Sequence, residues 1–399
     1  MKSHSVLSIA LFALSHLARA QSDVVLPALL GRHPVSIYDH EVKTSRPDPL
    51  APTHQLRRLM VTIYRPFLDN TTCTPEHQSL IPYAPPVVAD ALLNALLGSP
   101  NASSILTPVK LLNCSLPVPS SSASGPLLLF SPGYGGTHHG YASTLQAAAS
   151  AGYTVVAIDH TYESAAVVFP SDGEVAYYSA VTDEYNNSTA GQNFLQSVRI
   201  ADAVSVLDAI ERGDVPGLGR YSNSSCSSSS PLPLRAIMYG HSFGGSTAVN
   251  VAALDDRVLA AANIDGPYYN PVANGTAPVT KPLLMMQSSA LPPAAADWPA
   301  FFPSVRGWKT WVRPNGTTHY GYTDLPVLAD LLALRGTVMP EELVGTVDSG
   351  RLQEIVWRYT TEFFDFVLKG GRAPDLLVGP SGEFGDVEFV GHAEAETGN

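Results

Sequence analysis

Residues 235–254 read RAIMYGHSFGGSTAVNVAAL, and this stretch decides the fold. Residues 235–239 have the composition of a buried strand, and residues 244–254 the spacing of a helix. Between them stands Gly240-His241-Ser242-Phe243-Gly244-Gly245. Strand, tight turn and helix in that order form the context that a G-x-S-x-G nucleophile elbow requires. The turn forces an unfavourable backbone on the serine, so its neighbours must be small, and Gly240, Gly244 and Gly245 meet that need. The plain alternative is a glycine-rich turn without chemistry. The flanking strand and helix favour Ser242 as a nucleophile.

The same alternation runs outward in both directions. Leu127–Ser131 (LLLFS) and Thr154–Asp159 (TVVAID) read as buried strands upstream, and 259–264, 282–287 and 307–313 as strands downstream. Helical patterns fall at 141–151, 194–212, about 324–335 and 351–368. Short continuous apolar strands alternating with helices imply an α/β fold, a mostly parallel central sheet with helices on both faces. Residues 58–65 add an earlier strand. Residues 66–126 hold two cysteines, three sequons, many prolines and one amphipathic helix at 86–97. They read as an insertion that lines or covers a site. Residues 21–57 are expected to wrap the surface, 217–233 to form a serine-rich loop, and the chain after 370 to be a glycine-rich acidic tail. The expected organisation is a signal peptide at 1–20 and a single domain at 21–399.

A serine hydroxyl needs a base, which in this strand–turn–helix context follows the nucleophile in the chain. Only His319 and His392 follow Ser242. His319 lies after a strand, in NGTTHYGYTDLP, where strand carboxyl ends converge. His392 lies in the acidic tail, so His319 is the expected base. The base needs a carboxylate to hold its tautomer. Asp265 ends an apolar strand in NIDGPYY and is preferred. Asp297 stands well beyond the next strand, which is followed directly by QSSAL without an acid. Asp255 and Asp256 lie in a polar turn, and Asp324 reads as a helix N-cap. Oxyanion donors are expected from the backbone N–H of Phe243 and of Tyr134, the latter in the turn SPGYGG after an early strand. That turn is not G-x-G-x-x-G, so a dinucleotide site is not supported.

Composition narrows the function. The chain has 399 residues, 45% of them hydrophobic and 15% charged, enough apolar material for a large core rather than a disordered chain. A formal charge of −12 argues against a duplex nucleic-acid partner. Three cysteines cannot build a four-thiolate zinc site. Lys2, the apolar run VLSIALFAL at 6–14 and Ala18-Arg19-Ala20 read as a secretory signal cleaved before Gln21. Cleavage would remove Lys2 and Arg19 and take the charge from −12 to −14. Eight N-x-S/T sequons stand at Asn70, Asn101, Asn113, Asn186, Asn187, Asn223, Asn274 and Asn315. Cys73 and Cys114 flank the insertion and are expected to pair, leaving Cys226 alone; another pairing or none stays open. His160 and Glu163 either line the site or orient its turn, with the structural role preferred. His138 and His139 invite a metal, but adjacent histidines do not both face one ion easily and no third ligand is evident. No metal or cofactor is expected. Trp298, Phe301, Phe302, Trp308 and Trp311 are core or pocket wall.

The segments LLLFSPGYGG, AIDHTYESAA, GHSFGGSTA, NIDGPYY and THYGYTDL occur in that order. Together they resemble the platelet-activating-factor acetylhydrolase family of α/β-hydrolases, over residues 58 to 368. The resemblance implies the α/β-hydrolase fold, Ser242, Asp265 and His319 as a triad, and Tyr134 and Phe243 as oxyanion donors. It also implies calcium-independent hydrolysis of short or oxidised sn-2 acyl esters of glycerophospholipids. One departure is Pro132, where the family usually carries His before Gly. The expected protein is a secreted extracellular serine esterase, with transient contact to a lipid surface and no obligate protein partner. The rivals are a broad carboxylesterase, a cutinase-like polyester hydrolase, and a catalytically dead hydrolase scaffold that only binds.

Overall fold

The computed structural model describes residues 22–27, 31–68, 73–98, 103–115, 125–218, 233–290 and 297–396. The expected signal segment, Cys226, and the sequons at Asn70, Asn101 and Asn223 lie outside the described residues. The chain opens with β1 (Val24–Val25), then two long strands, β2 (Val35–Pro47) and β3 (Leu56–Pro66). It next leaves the main sheet to build β4 (Gln78–Pro82), helix α1 (Pro86–Leu97) and β5 (Val109–Cys114). The alternating part comprises β6 (Leu127–Ser131), α2 (Ala142–Ser150), β7 (Thr154–Asp159), the hairpin β8 (Ala166–Phe169) and β9 (Glu174–Tyr177), and α3 (Thr189–Arg212). It continues through β10 (Ala236–His241), α4 (Phe243–Leu254), β11 (Val258–Ile264), β12 (Leu283–Met286) and β13 (Lys309–Pro314). Helices α5 (Leu325–Leu331) and α6 (Ser349–Lys369) precede a last strand, β14 (Val387–Ala393).

Nine strands form the main sheet, in the order β14-β13-β12-β11-β10-β6-β7-β3-β2. The run from β13 to β7 is parallel, while β3, β2 and β14 pair antiparallel at the two edges. Side chains alternate between two cores. Leu127, Leu129, Val156 and Ile158 face one core with Val206, Ile210 and Val249 of α3 and α4. Leu128, Phe130, Val155 and Ala157 face the other with Leu145 of α2 and Ile355, Tyr359 and Phe363 of α6. Both faces are therefore covered, which is why the central strands read as unbroken apolar runs.

Two expectations are corrected. Residues 35–47 do not wrap the surface; they form the outermost strand, paired along β3 from Val35↔Pro66 to Pro47↔Leu56. The tail is anchored, because β14 pairs with β13 and the His392 ring meets the Lys309 carbonyl at 2.9 Å. Residues 160–193, to which the sequence pattern assigns no element, carry the β8–β9 hairpin and a short helix at Ala180–Asn186. Edge strands alternate polar and apolar residues and carry charge, so their composition imitates loop.

The insertion builds a second sheet of three strands with β1 from the start of the chain, in the order β1-β5-β4. A disulfide joins Cys73 to Cys114. Tyr83, Ala89, Leu93 and Leu106 of this unit pack on Leu325 and Leu328 of α5. The chain passes from β6 to β7 on one side of the sheet and later returns to β10 on the other side. That reversal opens a crevice beyond the carboxyl ends of β6 and β10, where doubly wound sheets place their ligands.

Candidate active site

Ser242 sits between the end of β10 and the start of α4, with φ 56° and ψ −127°. A backbone there costs on the order of 1–3 kcal/mol and persists only where the surroundings enforce it. The enforcement is visible. A Cβ on Gly240 would lie 2.4 Å from the Gly244 carbonyl oxygen, and one on Gly244 would lie 2.0 Å from that of Ser131. The Ser242 N–H donates to the Ile264 carbonyl at 2.8 Å, which ties the elbow to β11.

Ser242, His319 and Asp265 come together. His319 Nε2 lies 2.9 Å from Ser242 Oγ, and His319 Nδ1 lies 2.7 Å from Asp265 Oδ2. The carboxylate is fully buried and the imidazole 25% exposed. Asp265 also has positive φ, 54°, and its N–H donates to the Met286 carbonyl at 2.8 Å. Its Oδ1 accepts the Ser288 N–H at 2.8 Å, and its Oδ2 accepts the Ser288 hydroxyl at 2.8 Å. Three donors therefore converge on one buried carboxylate, and each is a charge-assisted hydrogen bond to it. Ser288 was missed by sequence reasoning. It stands in QSSAL directly after β12, and its position beside the end of β11 was the available signal.

Tyr134 and Phe243 flank the serine. Phe243 is the first residue of α4, so its N–H has no intrahelical acceptor. Their rings meet edge to face at 5.8 Å. Beneath them a chain of hydrogen bonds joins the SPGYGG turn to the histidine loop. The Gly133 N–H donates to Tyr141 Oη at 3.0 Å, Tyr141 Oη lies 2.8 Å from His241 Nδ1, and His241 Nε2 lies 2.9 Å from the His319 carbonyl. Burial, then the neighbouring His319, holds His241 well below the usual imidazole pKa. A neutral His241 with its proton on Nε2 satisfies every member of that chain. The Tyr141 hydroxyl then donates to Nδ1, and Nε2–H donates to the carbonyl.

Ser242 and His319 open into a cavity of about 1080 Å³. Its walls are apolar and aromatic, with Val87, Ala91 and Leu96 of α1 facing Tyr134, Tyr178 and Tyr320. Asp90 is its carboxylate, and no lysine or arginine lines it among the described residues.

The remaining candidates have other work. Asp297 accepts the Tyr268 N–H at 3.0 Å, and burial raises its pKa. Asp255 pairs with Arg257, while Asp256 is exposed. Asp324 does not cap its own helix. Its buried carboxylate accepts from the backbone and hydroxyl of Ser143 at the start of α2 and from Tyr83 of the insertion. Burial pushes it up to about 6. His160 and Glu163 are both fully buried and orient the turn. Trp298, Phe301, Trp308 and Trp311 are core and Phe302 packs half-buried against it, none of the five on the cavity wall. A third metal-ligand type does stand beside the paired histidines, since the donor atoms of His138, His139 and Asp159 lie within 4.8 Å of one another. Both Asp159 oxygens are engaged, however, by the His138 N–H and by His138 Nδ1, each at 2.8 Å. Burial lowers the His138 pKa, but Asp159 outweighs it and raises the value overall.

Comparison with known proteins adds the family. Residues 21–365 match the family platelet-activating factor acetylhydrolase, isoform II. Over 354 residues, 84% of this chain and 86% of the other, the sequence is 28% identical to a protein of Arthroderma benhamiae described as a probable 1-alkyl-2-acetylglycerophosphocholine esterase. A solved ferulic acid esterase from Streptomyces cinnamoneus superposes with a TM-score of 0.71 at 29% identity, covering 92% of this chain and 100% of that one. The architecture shared with that esterase is the α/β-hydrolase fold.

Proposed function

The chain belongs to the platelet-activating factor acetylhydrolase, isoform II, family and is a carboxylic ester hydrolase; from that premise we propose that it cleaves short or oxidised sn-2 acyl esters of glycerophospholipids through an acyl-enzyme at Ser242. The observation that carries this reading is the Asp265–His319–Ser242 chain, at 2.7 and 2.9 Å, on the wall of an apolar cavity.

In the proposed cycle His319 Nε2 takes the Ser242 proton as Oγ attacks the ester carbonyl. Asp265 holds Nδ1–H and stabilises the imidazolium. The N–H groups of Tyr134 and Phe243 receive the developing oxyanion. His319 then returns its proton to the leaving alcohol, and water releases the acid by the same route. The cavity would take the acyl chain, and the absence of cations among its described lining residues would leave a substrate's phosphate at the mouth, in solvent.

We also propose secretion. The Cys73–Cys114 disulfide supports an oxidising compartment, as do the sequon asparagines Asn274 and Asn315, which are exposed. No helix among the described residues is long and apolar enough to cross a membrane.

A second reading has one observation behind it. Tyr134, Tyr177, Tyr178 and Tyr320 share the cavity with Ser242 and would stack on an aromatic acyl group, the class named for the solved relative. The deciding experiment measures acid release from 2-acetyl and 2-palmitoyl phosphatidylcholine and from methyl ferulate, with excess chelator, by wild type and Ser242→Ala. Chelator-resistant release of acetate with little palmitate, lost in the variant, supports the phospholipid reading. Faster Ser242-dependent cleavage of methyl ferulate transfers the substrate to aromatic esters. Activity surviving in Ser242→Ala overturns the mechanism.

A further inference from the structure

The oxyanion loop is gripped from behind by one buried cation. Arg199, in the middle of α3, is fully buried. Its Nη1 donates to the Pro132 carbonyl at 2.5 Å and to Ser131 Oγ at 3.2 Å, and its Nη2 donates to the Gly133 carbonyl at 3.1 Å. Glu163 neutralises it, accepting from Nε at 2.8 and 2.9 Å and also from Nη2.

The consequence follows from peptide geometry. In a planar trans peptide the C=O and N–H bonds point in opposite directions. The Gly133 carbonyl is drawn towards Arg199, so the N–H of the same peptide, that of Tyr134, is turned away from Arg199, and both residues line the cavity. The guanidinium carbon also lies 5.0 Å from the centre of the Phe243 ring, whose residue supplies the other N–H. A single cation thus holds the carbonyl of the Gly133–Tyr134 peptide and lies over the side chain of the residue that supplies the other N–H.

A second network holds the first. Ser131 Oγ lies 3.0 Å from His160 Nε2, and His160 Nδ1 lies 3.0 Å from Asp202 Oδ2. This is a second Ser–His–Asp array, but all three residues have 0% exposure, so no substrate reaches it. Burial, then Arg199, lowers the His160 pKa. A neutral His160 gives the hydrogen bonds one consistent direction, from Arg199 to Ser131, from Ser131 to His160, and from His160 Nδ1–H to Asp202. Asp202 is fixed in turn by Arg57, at 2.6 Å.

We propose that Arg199 is the positioning residue of the oxyanion hole, and that it acts by fixing the Gly133–Tyr134 peptide rather than by touching substrate. The inference rests on the proposed acyl-enzyme chemistry at Ser242. The Pro132 carbonyl, directly before the Gly133–Tyr134 pair, is one of the atoms Arg199 grips.

The test uses purified full chain with p-nitrophenyl butyrate, and a trifluoromethyl ketone of the same chain length as a tetrahedral oxyanion mimic. Arg199→Lys keeps the charge but loses the fork that reaches two carbonyls. Losing one oxyanion donor costs about 10²–10³ in kcat. The expected result is a fall of about 100-fold in kcat with KM within about threefold, and an equal loss of ketone affinity. A merely structural role would lower the burst amplitude and melting temperature without changing ketone affinity in the active fraction. Native melting with kcat and ketone affinity both within about threefold of wild type would overturn the proposal. Should Arg199→Lys fail to fold, Ser131→Ala decides, since it removes one anchor of the guanidinium. A matched fall of about fivefold in kcat and ketone affinity supports the idea, and no change in either refutes it. Wild type inert on the ester, or Ser242→Ala still active, would instead sink the acyl-enzyme reading itself.

Discussion

Replacing Asp265 by Asn would reverse the proton on the His319 imidazole, the proposed base, and the structure shows how. The carboxylate accepts three hydrogen bonds, from the Ser288 N–H, the Ser288 hydroxyl and His319 Nδ1–H. An amide has one oxygen and one NH₂. The Ser288 N–H is a fixed donor, so the amide oxygen must take the Oδ1 position. The NH₂ then takes the Oδ2 position and faces His319 Nδ1. The Ser288 hydroxyl need not clash with it, because the Ala290 carbonyl lies 3.0 Å away as an alternative acceptor. The variant should therefore fold. His319 must offer a lone pair at Nδ1, which places its proton on Nε2, 2.9 Å from Ser242 Oγ. A nitrogen that donates to the nucleophile cannot deprotonate it. The corresponding loss in a serine protease triad is about 10⁴-fold in kcat, or about 5.4 kcal/mol at 1.36 kcal/mol per decade. The assay is p-nitrophenyl butyrate hydrolysis with active-site titration, beside melting temperature. Asp265→Asn should lose on the order of 10³–10⁴-fold in kcat/KM and melt within a few degrees of wild type. Asp297→Asn should stay within about threefold, since its carboxylate serves the Tyr268 N–H. A folded Asp265→Asn enzyme within tenfold of wild type would refute the tautomer argument.

Four further outcomes are expected. The folded Asp324 carboxyl, raised to about 6 from 3.8, holds its proton more tightly than in the unfolded chain, so it stabilises at low pH and that stability is lost as pH rises through about 6. Urea titrations at pH 4.5 and 7.5 should show Asp324→Asn gaining on wild type by on the order of 2 kcal/mol. Opening the Cys73–Cys114 loop, a separation of 41 residues, with Cys73→Ser should cost about 3–4 kcal/mol in the same titrations. Mono-p-nitrophenyl glutarate should be cleaved at least about tenfold more slowly than p-nitrophenyl butyrate, because no cation among the described lining residues meets its carboxylate; equal rates would place a cation in the acyl path. In a secretory eukaryotic host, glycopeptide mass spectrometry should find Asn274 and Asn315 modified and Asn113 bare. The Asn113 amide already donates to Ser79 at 3.3 Å and accepts from the Ile37 N–H at 2.8 Å.

What the sequence disclosed depended on burial. β6, β7 and β10 were legible because both their faces are covered, so each is an unbroken apolar run. β2 and β14 were not, because Asp39 and Glu388 are exposed on edge strands and give those segments the composition of loop. Ser242, Asp265 and His319 could be singled out because each follows the carboxyl end of a strand, a position chain order alone reveals. Ser288 stands in the same kind of position, but a serine after a strand carries no signature. The Arg199 network was hidden for another reason. Ser131, Glu163 and Arg199 are far apart in the chain, and hydrogen-bond partners across such distances have no period. One trace was readable: Gln196, Arg199 and Asp202 share the buried face of α3 with Leu195 and Val206. Three polar residues on a helix's inward stripe must each find a partner inside.

The geometry of the triad follows from sheet register. His241 lies level with Ile264, and Ile264 with Met286, so β10, β11 and β12 end in step. The next residue of the first strand is Ser242, and that of the second is Asp265. Each continues the ladder by one bond, Ser242 N–H to the Ile264 carbonyl and Asp265 N–H to the Met286 carbonyl, both at 2.8 Å. Each then turns away through positive φ, 56° and 54°. The two strained residues are thus gripped by the neighbouring strand at the point where they leave it, which is how a backbone costing about 1–3 kcal/mol per residue stays in place. Asp265 follows the strand adjacent to that of Ser242, so His319 must reach back across two strands from the end of β13. The His241–His319 hydrogen bond holds its loop in that reach. Ser242 and Asp265 are thus set by the sheet, whereas His319 is set by its loop, which His241 and the Thr318–Leu343 hydrogen bond tie down.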